Sequence, residues 1–285
     1  SRPLEPLPTG QSPVLAKLRG VRAVLFDLYG TLLISGSGEV GTSPEAACQA
    51  ALVGALAAVG IDPARLSGGE VEIVFQVIRA FHAEGQAAGI EYPEVQIVEV
   101  WWRVLGELAG RGLIEQAECQ GVDLQRLAVE YEARANPVWP MPGVEGCLRA
   151  LHGRGLLLGI ISNAQFYTPE LLPAFLGGQC EAWGLDPGLE FYSYQHGLAK
   201  PGQALFRLAA EELTRRGIEP CGAVYVGNDM LNDVLPARQV GFRTALFAGD
   251  ARSLRRRGDD ARLEGVRPDL VLTKLADLND CIMIE

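Results

Sequence analysis

The 285-residue chain has no CxxC pair. Its six cysteines, Cys48, Cys119, Cys147, Cys180, Cys221 and Cys281, are scattered among mostly apolar neighbours such as "AACQAALV". That spacing excludes a disulfide framework and a zinc site of paired thiolates, and reads as reduced, partly buried thiols. Positive charge is also short: Lys and Arg number 25 against 35 Asp and Glu, a formal charge of -10. Such a surface repels a phosphate backbone, so nucleic acid is not an expected partner. The one basic run, "RSLRRRGDDAR" at 252–262, is broken by Asp259 and Asp260 and reads as a solvated face that attracts, at most, a small anion. Long hydrophobic runs are missing too. The best, "AALVGALAAVG", is about half the ~20 residues a bilayer span needs, and no signal-peptide pattern opens the sequence. No membrane association and a cytoplasmic, soluble protein are the expectation, and no internal repeat or low-complexity tract interrupts the chain.

What is present is an ordinary globular balance of 48% hydrophobic and 21% charged residues, long enough for two unequal domains. Residues 1–20 carry four prolines without a sustained period and read as an N-terminal extension, extended on the surface or disordered. After it comes "VRAVLF", a continuous apolar run of the kind a strand shows when helices bury both its faces. Further runs of this type are "LLLGIIS" (156–162), "LEFYSY" (189–194), "GAVYVG" (222–227) and "RTALFA" (243–248), with "DLVL" near 269 as an edge strand. Helical patterns lie between them. Thr168-Pro169-Glu170 opens one that Gly177 ends, and "GQALFRLAAEELTRRG" carries arginines in its last turn and stops at Gly217. Alternating strand and helix predicts an α/β fold: a Rossmann-like parallel sheet core covered by helices on both faces.

Residues 35–136 break this rhythm. Ser43-Pro44-Glu45 starts a helix that closes near Gly60, and "GGEVEIVFQVIRAFHAEGQ", "PEVQIVEVWWRVLGELAG" and "DLQRLAVEYEARAN" follow with apolar residues three to four apart. Trp101 and Trp102 read as core packing beside Val98, Leu105 and Leu108. The proline-dense "NPVWPMPG" (136–143) reads as the linker back to the sheet. The expected organisation is therefore an α/β core of residues 21–34 and 137–285, with an inserted all-helical cap domain at 35–136.

In open α/β sheets, ligands bind outside the carboxyl ends of the strands. The residues there are Asp27 after the first strand, Ser162 and Asn163 after the second, Lys200 in "QHGLAKP", and Asn228, Asp229 and Asp233 in "GNDMLND". With "FDLYGTLL", "IISN", "KP" and "VGNDMLNDV" in this order, the chain resembles the haloacid dehalogenase superfamily across most of residues 21–248, with a helical cap inserted after the first motif. The resemblance implies a hydrolase with Asp27 as nucleophile. A carboxylate that forms a covalent ester or acyl phosphate splits one hard hydrolysis into two easier steps. Gly30 lets the chain turn out of the strand, and Thr31 bonds the nucleophile or an oxyanion. Ser162 and Asn163 offer polar groups to the transferred group, Asn163 alternatively only a turn, and Lys200 offers a point charge.

Departures from the superfamily pattern leave the chemistry open. Where phosphatases of this kind carry a second aspartate, this chain has Tyr29, whose phenol titrates near ~10 and is a poor base at neutral pH. Tyrosine there matches the dehalogenase branch, yet Phe206 stands where those enzymes carry a further tyrosine. If Asp27, Asp229 and Asp233 share the site, three acids face Lys200 alone, and a divalent cation is needed to join them. Mg2+ suits such a set of carboxylates with the Tyr29 carbonyl. If Asn228 takes the metal-facing place instead, Asp27 and Asp233 are balanced to minus one and metal affinity is weak. The leading expectation is a magnesium-dependent phosphatase acting on a small phosphorylated metabolite, hence on a small anionic organic substrate. Metal-free dehalogenation of a 2-haloacid and a catalytically weakened binding protein are the alternatives.

Overall fold

The computed structural model describes residues 3–37 and 45–283. Ten short strands lie among helices: β1 (Leu18–Arg19), β2 (Ala23–Phe26), β3 (Leu33–Ser35), β4 (Val138–Pro140), β5 (Leu157–Ser162), β6 (Leu185–Tyr192), β7 (Ala223–Gly227), β8 (Arg243–Phe247), β9 (Leu270–Leu272) and β10 (Ile282–Met283). Six form one parallel sheet in the order β6-β5-β2-β7-β8-β9, as the apolar runs predict. Around the sheet and above it lie α1 (Glu45–Ala58), α2 (Val71–Ala87), α3 (Ile97–Gly110), α4 (Leu124–Ala135), α5 (Val144–Gly153), α6 (Leu171–Leu176), α7 (Ser193–His196), α8 (Ala204–Arg215), α9 (Leu235–Gln239) and α10 (Asp277–Cys281).

All four β2 residues are buried, and their period of two sorts them onto opposite faces. Val24 and Phe26 pack with Leu148 and Leu151 of α5 and Leu278 of α10; Ala23 and Leu25 pack with Leu205, Phe206 and Leu213 of α8. Each such large side chain contributes about 1.5–3 kcal/mol by leaving water. Burial on both faces is why the strand has no polar alternation before Asp27.

Helices α1–α4 gather around a separate apolar cluster that includes Leu52, Leu56, Val74, Val100, Val104, Leu108 and Leu127. Asp123 caps α4 by accepting the Arg126 N–H at 2.9 Å. Trp101 is fully buried in this cluster, but Trp102 is 70% exposed. Successive helical residues point about 100° apart, so only one of the adjacent tryptophans meets the core. Residues Ser43 and Pro44 of the expected helix start lie outside the described residues.

The stretch read as a linker pairs with the residues after Thr31: β3 and β4 form an antiparallel ladder, Ile34 opposite Trp139. The N-terminal residues run extended along the surface, where Val14 bridges Val271 of β9 and Leu7 N–H donates to Asp250 at 3.0 Å. No helix among the described residues is long and apolar enough to cross a membrane.

Candidate active site

Strands β5, β2 and β7 are neighbours and parallel, so their carboxyl ends open at one edge. That adjacency brings Ser162, Asp27 and Asn228 together from positions up to 201 residues apart in number. Asp27 continues the ladder by donating its N–H to the Val226 carbonyl at 2.9 Å. The residue is 6% exposed. Asp27 Oδ1 accepts from Ser162 Oγ and from Lys200 Nζ, both at 2.8 Å, while Oδ2 accepts nothing from the described residues. One oxygen is pinned and the other is open.

Lys200 is 7% exposed and uses all three ammonium donors: Asp27 Oδ1, Asp233 Oδ1 at 2.6 Å and the Tyr225 hydroxyl at 3.2 Å. Burial opposes its charge, but Asp233 and Asp27 outweigh that and hold its pKa above the ordinary lysine range. Burial raises the Asp233 carboxyl, with Lys200 pulling it down. Asn163 does not reach Asp27. Its side chain grips the Lys200 backbone reciprocally, accepting the Lys200 N–H at 2.8 Å and donating to the Lys200 carbonyl at 3.1 Å.

Two glycines make room for the site, one in the first-motif turn and one at the end of β7. Gly30 has φ +84°, and a Cβ there would lie 2.5 Å from Ser253 Cβ and 2.8 Å from Asn228 Nδ2. A Cβ on Gly227 would lie 2.4 Å from Asp233 Cγ, so the missing side chain admits that acid. Thr31 Oγ1 donates to Asn228 Oδ1 at 3.2 Å, and Asn228 Nδ2 donates to the Ser253 carbonyl at 2.6 Å. The Thr31 hydroxyl therefore braces Asn228 and does not bond the Asp27 carboxylate.

Asp229 corrects the three-acid expectation. Arg257 Nε grips its two oxygens at 2.8 and 3.0 Å, and Oδ1 also caps the N–H groups of Leu231 and Asn232. Asp229 is thus neutralised by Arg257. Asp27 and Asp233 remain against Lys200, a balance of minus one, and among the described residues no three His, Cys, Asp or Glu side chains converge to hold a metal. The oxygens left for a cation are Asp27 Oδ2, the Tyr29 carbonyl and Asn228 Oδ1. That set fits magnesium only if substrate and water complete the shell, which is a common way for this ion to bind. It does not fit an ion held by carboxylates alone.

Tyr29 points its hydroxyl at Thr168 Oγ1, 3.0 Å away, and burial, then Glu132, push its pKa far above the ordinary phenol value. It stays neutral at any working pH and cannot serve as a base. His196 is exposed and stacks on Phe191.

Between the helical layer and the sheet lies a cavity of about 410 Å³ with Asn163 and Lys200 among its walls. Residues 92–97 stitch the two layers: the Ala199 N–H donates to the Tyr92 carbonyl at 2.8 Å, one residue before Lys200, and the Glu94 N–H to the Gly197 carbonyl at 3.1 Å. Glu132 faces this cavity, and among the described residues only Asn136 Nδ2, at 3.1 Å, donates to its carboxylate. Burial pushes its pKa up to about 7. An acid whose folded pKa is raised stabilises the fold fully below its unfolded pKa, near 4.5, and loses that contribution as pH rises towards 7. Glu132→Gln is therefore expected to melt above the wild type at pH 8, with the gap closing at pH 5; thermal unfolding at both pH values checks the sign.

Sequence reasoning missed Tyr225, Ser253, Arg257, Thr168 and Glu132. The last lies in an ordinary amphipathic pattern, and the others meet the site only through the fold.

The family model described as haloacid dehalogenase-like hydrolase matches residues 21–241. No curated protein matches the chain. Among solved structures, a 2-haloacid dehalogenase from Pseudomonas syringae pv. tomato DC3000 is similar at 21% identity and a TM-score of 0.62, covering 92% of this chain and 97% of that one. A magnesium-bound hydrolase from Bacillus subtilis is similar at 18% identity and a TM-score of 0.51, covering 91% and 97%. A predicted phosphoglycolate phosphatase from Haemophilus somnus 129PT is similar at 15% identity and a TM-score of 0.50, covering 92% and 97%. At these identities the likeness is one of fold.

Proposed function

The chain belongs to the haloacid dehalogenase-like hydrolases, and from that premise we propose that it hydrolyses a small phosphorylated compound through a covalent intermediate on Asp27. The observation that carries this reading is the divided posture of the Asp27 carboxylate: Oδ1 pinned by Ser162 and Lys200, Oδ2 unpartnered. Oδ2 forms a bond to phosphorus as the ester oxygen departs with its electron pair and takes a proton from water. The carboxylate charge thus leaves with the ester oxygen, while the Ser162 and Lys200 donors beside Oδ1 favour the charge on the phosphoryl oxygens in the transition state. Water next attacks phosphorus and releases Asp27 and phosphate. Asn163 positions Lys200 through its backbone. Residues 35–136 act as the cap that admits substrate. Magnesium held by the Tyr29 carbonyl and Asn228 Oδ1, beside the Asp27 charge, would neutralise phosphoryl charge as it nears Asp27.

Calorimetric titration of magnesium, beside a p-nitrophenyl phosphate assay, tests this. Weak binding by the wild type is expected, tightening when inorganic phosphate is added, lost in Asp27→Asn and retained in Asp229→Asn because Arg257 already holds that acid. Phosphate release that survives exhaustive chelation would remove the metal from the reading.

A second reading, displacement of halide from carbon, is favoured by Tyr29: a halide leaves without a proton, and this phenol is committed to Thr168. Halide release in the presence of chelator, with no phosphatase activity, would put it first.

A further inference from the structure

The cavity beside Lys200 carries an imbalance of charge. Glu91, Glu94 and Glu132 line it, against Lys200, whose three donors are all spent on Asp27, Asp233 and Tyr225. His82, also in the wall, adds no charge near neutrality, because burial lowers its pKa. Of the acids, Glu94 is satisfied within the protein: Oε1 accepts the Val95 N–H at 2.9 Å and Gln165 Nε2 at 3.2 Å, and Oε2 takes Ser193 Oγ at 2.6 Å. Glu91 is exposed. Glu132 differs from both, being half-buried with one oxygen on Asn136 and the other accepting nothing from the described residues.

The remaining wall is mostly apolar and includes five aromatic rings, Phe75, Tyr92, Trp101, Tyr131 and Tyr167, with Trp101 edge-on to Tyr131 at 5.0 Å. A half-buried acid with an open oxygen calls for a partner. A carboxylate or phosphate in the same place would meet Glu132 with every Lys200 donor already spent, and a wholly apolar group would leave Glu132 unpaired. An organic cation meets both features, since aromatic faces attract ammonium groups and Glu132 supplies the counter-charge. About 410 Å³ falls within the usual size of small-ligand sites.

We infer that this cavity receives an organic ammonium group with Glu132 as its counter-ion, so that the substrate joins an ammonium to the group transferred to Asp27. That the transferred group is phosphoryl rests on the function proposed above; the ammonium site does not. The test titrates choline chloride into the full chain by calorimetry at pH 8, above the raised Glu132 pKa, with 3,3-dimethylbutan-1-ol, which has carbon in place of the charged nitrogen, as the neutral match at equal ionic strength. Choline is expected to bind at least tenfold more tightly than the alcohol. In Glu132→Gln that preference should vanish while the alcohol binds as before. Equal affinities in the wild type, binding of neither compound, or a choline preference that survives Glu132→Gln would overturn the inference. Hydrolysis of p-nitrophenyl phosphate is scored separately, so a protein that binds choline and releases no phosphate sinks the proposed function alone.

Discussion

Asp27→Asn is expected to fold normally and to lose turnover by about 10⁴-fold or more, the scale seen when a covalent nucleophile is removed. The amide oxygen can still accept from Ser162 and Lys200, and the backbone bond to Val226 is untouched, so local geometry is kept. What disappears is the second carboxylate oxygen with its charge and electron pair. Stability should change little, since Lys200 keeps Asp233 as a one-to-one partner. Steady-state hydrolysis alongside urea unfolding separates the two effects. Turnover within a hundredfold of wild type in the folded variant would show that Asp27 is not the nucleophile.

Replacing Lys200 by Met should do the most harm to the fold. Asp27 and Asp233 both lie against this ammonium, at 2.8 and 2.6 Å, and all three side chains are buried. Removing one partner of a buried ion pair costs about 3–5 kcal/mol, because the remaining charge is neither hydrated nor paired. Here two like charges are left facing each other. Two rescues are expected: lowering the pH, which protonates the stranded acids, and the double variant Lys200→Met, Asp233→Asn, which removes one of them. Urea midpoints of the single and double variants measure this. A single variant that loses less than about 1 kcal/mol would mean the charges reach water, contrary to the burial seen. The loss of activity should survive the stability rescue, since Lys200 holds the Asp27 carboxylate through Oδ1 as well as supporting the fold.

Strand positions were readable because a strand covered by helices on both faces needs a continuous apolar run, and "AVLF", "LLGIIS" and "AVYVG" are such runs. Helices α2, α3 and α4 were readable from three-to-four spacing, and the polar residues at the strand ends were legible because a parallel sheet opens its carboxyl ends on one edge. The β3–β4 ladder was not legible. Its strands are three residues each, flanked by glycine or proline, and meet across about a hundred residues of chain.

Apolar period and chain order are local properties, so the parallel sheet, the run of helices before β4, Asp27 and Ser162 at strand ends and Lys200 in the loop beyond β6 were all legible in the sequence by itself. Whether Asn228 or Asp229 joined them was beyond it. The tertiary structure decided that by placing Arg257 on Asp229 and Thr31 with Ser253 on Asn228. It likewise turned Asn163 to Lys200 and left one oxygen of Glu132 open in the cavity. Which way a polar side chain faces depends on the partner that compensates its burial, and for Asn228, Asp229 and Asn163 these partners come from segments 25 to 197 residues away.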